Sequence, residues 1–171
     1  VSRVDVVLLM GSASDWTQLR PAVEMLGELG LAFRVHVSSA HRTPERTVEL
    51  VRAAEADGCR AFICAAGMAA HLAGAVAAHT LVPVLGVPLA GGVLDGVDAL
   101  LSTVQMPGGV PVATFAVGPA GARNAACFAA AIIAVERPEV AAALRRTREA
   151  AAVKVVAADA ALRAEWDQGG G

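Results

Sequence analysis

The chain carries a single lysine, Lys154, and its net charge is close to −2. No polybasic surface is therefore available, and neither nucleic acid nor an anionic membrane surface is expected as a partner. Cysteine is scarce and odd in number: Cys59, Cys64 and Cys127, without metal-type spacing. These read as buried, reduced thiols in a cytoplasmic protein, not as a disulfide frame or a metal centre. No apolar run reaches the ~18 residues of a membrane helix without Gly, Pro or charge breaking it. The first residues run into a strand pattern, and no signal peptide is read there. Walker and G-x-G-x-x-G motifs are missing, and so is the G-x-S-x-G of a serine nucleophile. No internal repeat is visible.

What the chain has instead is alanine and valine. Apolar residues make up 56% of its 171 positions, enough for one domain with a sizeable core. Strand and helix patterns alternate. Val4–Met10 is a continuous apolar run and reads as a buried strand. Asp15 is placed to cap the helix that follows, with Gln18 at the capping-box position and Gly30 beyond its end. Pro21 should kink that helix or mark an irregular first turn. Residues 33–38 give a second strand, and Thr43-Pro44 pairs an N-cap with a first-turn proline. Further strands are expected over 60–66, 83–87 and 112–117. Helices are expected over 69–79, 96–105 and 124–135. A last helix runs from Pro138, with Val140, Leu144, Val155 and Leu162 on its less polar side.

Five strands alternating with helices imply an α/β fold, a parallel sheet covered on both faces in the doubly wound order 2-1-3-4-5. One domain is expected over residues 1–165. Residues 138–165 form a C-terminal helix on the core or on a neighbouring subunit, and 166–171 a flexible tail. Ligands of such sheets bind beyond the carboxyl ends of the strands, near the switch in strand order.

Three loops fall at that end. The first, "GSASDW", offers Gly11 and the small residues Ser12 and Ser14 before a helix start, a setting suited to phosphate. The second, "SSAHRTP", sets His41 beside Arg42. The guanidinium can fork onto phosphate or carboxylate, and the imidazole can move protons near neutral pH. The third, "AAGMAAHLAG", turns at Gly67 and brings His71 into the start of a helix. Each loop alone could be ordinary turn or cap chemistry. Converging, they describe a crevice for a phosphorylated small molecule, worked by acid/base chemistry without a metal.

These motifs, with "PVLGVP" and "GVDALLSTVQMPGGVPVAT", resemble the family of bacterial class I N5-carboxyaminoimidazole ribonucleotide mutases, also called phosphoribosylaminoimidazole carboxylase catalytic subunits. The resemblance covers about residues 4–135. It implies a flavodoxin-like three-layer sandwich and a cytoplasmic homo-octamer with active sites at subunit contacts. The implied reaction, in purine biosynthesis, moves a carboxylate from the exocyclic nitrogen of a carbamate ribonucleotide to ring carbon C4, without cofactor, metal or ATP. By the same resemblance, Ser12, Ser14 and Arg42 match phosphate and ribose positions, Asp15 the ribose, and Ser39 a nearby contact. His41 matches the general acid/base. Gly67, Ala69, Ala70, His71 and Leu72 match a segment closing on the imidazole and the transient carbon dioxide.

The animal-type class, which takes free carbon dioxide, carries a lysine after the histidine and lacks "AAHL". Arg42 and His71 thus favour the mutase. Direct carboxylation, a divergent paralogue and a non-catalytic nucleotide-binding oligomer are the alternatives. Two positions depart from the family's "GGAAHLPG": Met68 stands where glycine is usual, and Ala73 where proline is. If the backbone at 68 needs a positive φ or a close approach, Met68 is strained or crowds the loop. "LAGGVLDG" is unusually rich in glycine for a loop near the site.

Overall fold

The computed structural model describes residues 4–169. Five parallel strands form one sheet in the order β2-β1-β3-β4-β5: β1 (Val6–Met10), β2 (Phe33–Val37), β3 (Ala61–Gly67), β4 (Val84–Leu89) and β5 (Ala113–Thr114). The helices are α1 (Trp16–Glu28), α2 (Pro44–Ala56), α3 (Leu72–Ala77), α4 (Val97–Val104), α5 (Pro119–Ala134) and α6 (Pro138–Gly169). This is the doubly wound architecture expected from the alternating pattern.

The pleat sorts the strand residues into two cores. Val6, Leu8 and Met10 join Ile63, Leu85 and Leu89 beneath α1 and α5. Val7 and Leu9 join Phe62 and Cys64 on the opposite face, against Val51 and Ala54 of α2 and Leu72, Ala73 and Val76 of α3. Both faces of β1 are buried, which explains its uninterrupted apolar run. Each fully buried leucine contributes about 2 kcal/mol of transfer free energy. Gly86, in the centre of β4, lets α4 approach: a Cβ there would meet Thr103 Cγ2 at 2.4 Å and Val112 Cγ1 at 2.8 Å.

Several boundaries differ from expectation, each for a local reason. Asp5 is not a strand residue. Its N–H donates to Ala32 O, and its carboxylate accepts from Ala32 N at 3.0 Å and Arg137 Nη1 at 2.9 Å. Strand β5 shortens to two residues at the sheet edge, just after Pro111. Helix α3 starts at Leu72 rather than Ala69, because the residues before it form a turn. Helix α5 starts at Pro119, where a missing N–H costs nothing.

Helix α1 runs through Pro21, preceded by a short 3-10 turn over Ala13–Asp15. The last helix packs through Val140 and Ala143. Val155 and Leu162, also on its less polar side, are 69% and 64% exposed in the single chain. Residues 170–171, the end of the expected tail, lie outside the described residues, and the helix continues past 165 to Gly169.

Candidate active site

The carboxyl ends of β1, β2 and β3 are neighbours, so the loops that follow them meet in one crevice of about 520 Å³. That volume suits a small phosphorylated ligand.

The first wall is a closed network of short polar groups. Ser12 caps the 3-10 turn: its hydroxyl accepts from Ser14 N at 3.3 Å and from the Ser14 hydroxyl at 2.8 Å. The Asp15 carboxylate accepts from Ser12 N at 2.9 Å and completes a capping box. The box thus lies one turn earlier than the sequence suggested, and Asp15 makes no side-chain cap to α1. Partial burial holds the Asp15 carboxyl above its ordinary value, against the opposing pull of the Ser12 and Gly11 N–H groups. Gln18, read as a capping-box residue, does something else. Its amide donates to Ala90 O and accepts from Ala90 N, both at 3.0 Å, and ties α1 to the loop after β4.

The second wall follows β2. Ser38 and Thr47, both buried, share a hydroxyl–hydroxyl bond of 2.8 Å that pins the loop to α2. Thr43 sits at the N-cap, yet its hydroxyl makes no cap. It donates to Ser39 O at 3.1 Å and accepts from Ser39 N at 3.2 Å. The Ser39 hydroxyl accepts the backbone N–H of Arg42 at 3.3 Å. A tight turn results, with His41 and Arg42 both exposed. No ion pair engages Arg42 among the described residues, so its guanidinium is open to an incoming anion.

The third wall follows β3 and is apolar: Ala66, Gly67, Met68, Ala69 and Leu72. His71 stands at the N-cap of α3 in a helical conformation. Its Nδ1 lies 2.8 Å from His41 Nε2, and the two rings meet edge to face at a centroid distance of 4.9 Å. Only one proton can lie between those two nitrogens, so one ring donates and the other accepts. The pair bridges the second and third loops and can take up or release a proton facing the crevice.

The crevice therefore brings together Gly11, Ser12, Ser14 and Asp15 with Ser39, His41 and Arg42, and with Gly67, Met68, Ala69, His71 and Leu72. Ala70 is the exception: it is 2% exposed and does not line the crevice. Its N–H is turned to Met68 O at 2.9 Å and to Ser102 Oγ at 3.2 Å. Met68 has φ +52, so the position does require a left-handed backbone. Among the described residues no three His, Cys, Asp or Glu side chains gather as a metal site. Cys59 and Cys64 are buried, and burial raises both thiols; Cys127 is half-buried.

A family described as AIR carboxylase matches residues 5–154. The chain belongs to that family. An N5-carboxyaminoimidazole ribonucleotide mutase from Brucella melitensis is 49% identical over 147 residues, 86% of this chain and 91% of that protein. One from Pseudomonas aeruginosa is 50% identical over 143 residues, 84% and 88% of the two chains. One from Saccharolobus solfataricus is 46% identical over 144 residues, 84% and 90%. Among solved structures, Treponema denticola PurE superposes with a TM-score of 0.84 at 28% identity, over 94% of this chain and 99% of that one. The AIR carboxylase match ends at residue 154, so the exposed outer turns of α6 lie beyond it.

Sequence reading missed Ala40 and Ala66 as lining residues, and Ser102 and Gln18 as supports of the loops. Ser102 lies within the quoted "GVDALLSTVQMPGGVPVAT", but 34 positions beyond Met68, and no periodicity announces the contact between them.

Proposed function

We propose that this AIR carboxylase family member converts N5-carboxyaminoimidazole ribonucleotide to 4-carboxy-5-aminoimidazole ribonucleotide. The observation that carries the reading is the His41–His71 pair, set between a hydroxyl- and arginine-lined wall and an apolar one. About 50% identity to mutases over most of the chain supports it.

Ser12 and Ser14 of the first wall and Arg42 of the second take the phosphate, with Asp15 and Ser39 on the ribose side. The ring then lies toward His41. The carbamate N–C bond breaks and releases carbon dioxide, and the nitrogen takes a proton from His41. Carbon C4 attacks the carbon dioxide, a C–C bond forms, and the C4 proton returns to His41. Atoms and charge balance without a co-reactant. His71 holds one nitrogen of His41 and so fixes the ring that carries the proton. Recombination at C4 is fast only when carbon dioxide stays close and water is kept out, and an alanine-lined wall suits an uncharged molecule.

Self-association is part of the proposal. Val97, Leu101 and Val104 lie on one side of α4 at 55%, 52% and 48% exposure, an apolar stripe that a second copy would cover. A homo-octamer working in the cytoplasm is the form we propose. No helix among the described residues is long and apolar enough to cross a membrane.

The test is purified protein given the carbamate nucleotide with neither ATP nor added bicarbonate. Formation of the C4-carboxylate is expected. Substrate that merely decomposes at its uncatalysed rate would sink the proposal.

A further inference from the structure

Met68 is one of two non-glycine residues with positive φ among the described residues, in a conformation that L side chains rarely adopt. It is also 62% exposed. Its companions on the apolar wall are Gly67, Ala66, Ala69 and the almost fully buried Leu72. Met68 is thus the one long, unbranched apolar side chain on that wall with room to move.

Two contacts hold it. Ser102 Oγ lies 3.2 Å from Met68 O, sharing its one proton between that carbonyl and Asp98 O at 2.5 Å, while accepting from Ala70 N at 3.2 Å. On the outer side lies Gly92, with φ +68; a Cβ there would come within 3.1 Å of Met68 Cγ and 3.6 Å of its Sδ. The thioether arm therefore lies where a side chain at 92 would project. Gly92 is braced in turn, because Gln18 grips both backbone polar groups of Ala90 two residues earlier.

We propose, resting on the carboxylate-transfer reading above, that Met68 and Gly92 are a matched pair in which Met68 forms an apolar lip retaining carbon dioxide. The bare Cα of Gly92 lets the thioether lie along the rim. Carbon dioxide is uncharged, so the hydroxyl and arginine wall gives it little hold. Between N–C cleavage and C–C formation, its retention depends on the apolar side of the crevice. Met68 carries no proton in this scheme. It sets how much of the cleaved carboxyl group recombines and how much is lost.

The experiment measures, on the full chain, the ratio of free aminoimidazole nucleotide to C4-carboxylated product. Met68→Gly is expected to raise that ratio several-fold while leaving the thermal midpoint unchanged or higher, since glycine is at home at positive φ. Met68→Leu, still apolar, is expected to keep the ratio low. Gly92→Ala adds the same backbone strain to either background, so comparing it in the parent and in Met68→Gly isolates the contact. It should raise the loss only where Met68 is present. An unchanged ratio in Met68→Gly overturns the lip, and equal effects of Gly92→Ala in both backgrounds overturn the pairing. A parent protein that leaves the carbamate untouched overturns the catalytic reading instead, and the lip with it. Thermal midpoints of the four proteins then decide the Met68–Gly92 contact alone.

Discussion

Replacing Ser102 with alanine removes one oxygen from α4. That oxygen lies 2.5 Å from Asp98 O and 3.2 Å from Met68 O, and it accepts from Ala70 N at 3.2 Å. Ala70 is buried, so water does not readily take the vacated place. Its N–H nevertheless keeps a contact with Met68 O at 2.9 Å. The loss is of shared hydrogen bonds and not of a donor's only partner, a cost of about 1–2 kcal/mol. For a chain of this length the thermal midpoint should fall by about 5 °C. The effect on turnover should be larger in kind. Ala70 precedes His71, and His71 meets His41 at 2.8 Å. A loop released at Ala70 lets that contact lengthen, and kcat should drop about tenfold with KM little changed. Thermal unfolding and steady-state kinetics on the same preparation check both. A lowered midpoint with kcat intact would make Ser102 a purely structural residue and refute the positioning argument.

Three further outcomes are expected. His41→Asn should keep the fold and bind the nucleotide while losing nearly all turnover; undiminished activity would remove His41 from the proton-transfer role. Arg137→Ala takes an ion-pair partner from Asp5, which is only 3% exposed and keeps the Ala32 N–H, and should cost about 2 kcal/mol in urea unfolding. An unchanged midpoint would show that Asp5 draws its stabilisation from elsewhere. Burial, and then the charges of Arg46 and Arg34, hold His36 below its ordinary value of 6.5. The unfolded chain therefore takes up that proton more readily. The His36 contribution is present above about pH 6.5 and is lost as pH falls through the lowered folded value. His36→Gln should flatten this part of the stability profile, and an equal slope in both proteins would discount His36.

The sheet was legible because both faces of its inner strands are covered, which leaves continuous apolar runs such as Val6–Met10. The crevice was legible because strand order alone puts the loops after β1, β2 and β3 together. Side-chain partnerships across the fold were not. Gln18 fits a capping box by spacing but grips Ala90, and Thr43 fits an N-cap but bonds Ser39. Ser102 reaches the 68–70 turn only because Gly86 admits α4 so close to the sheet. Helix α6 is a different case. Its apolar spacing at Val155 and Leu162 is real, yet nothing among the described residues covers them, which leaves the neighbouring subunit as the surface they would meet. At Met68 the sequence posed the question of backbone strain, and a φ of +52 answers it.

The central claim is that the carboxyl group stays in the crevice while it changes its point of attachment. The most direct measurement supplies carbamate nucleotide labelled isotopically in its carboxyl carbon, in the presence of unlabelled bicarbonate and carbon dioxide. The account predicts that the C4-carboxylate of the product carries the label. A product whose carboxylate takes its isotope from the surrounding pool, at a rate that rises with bicarbonate, would contradict it.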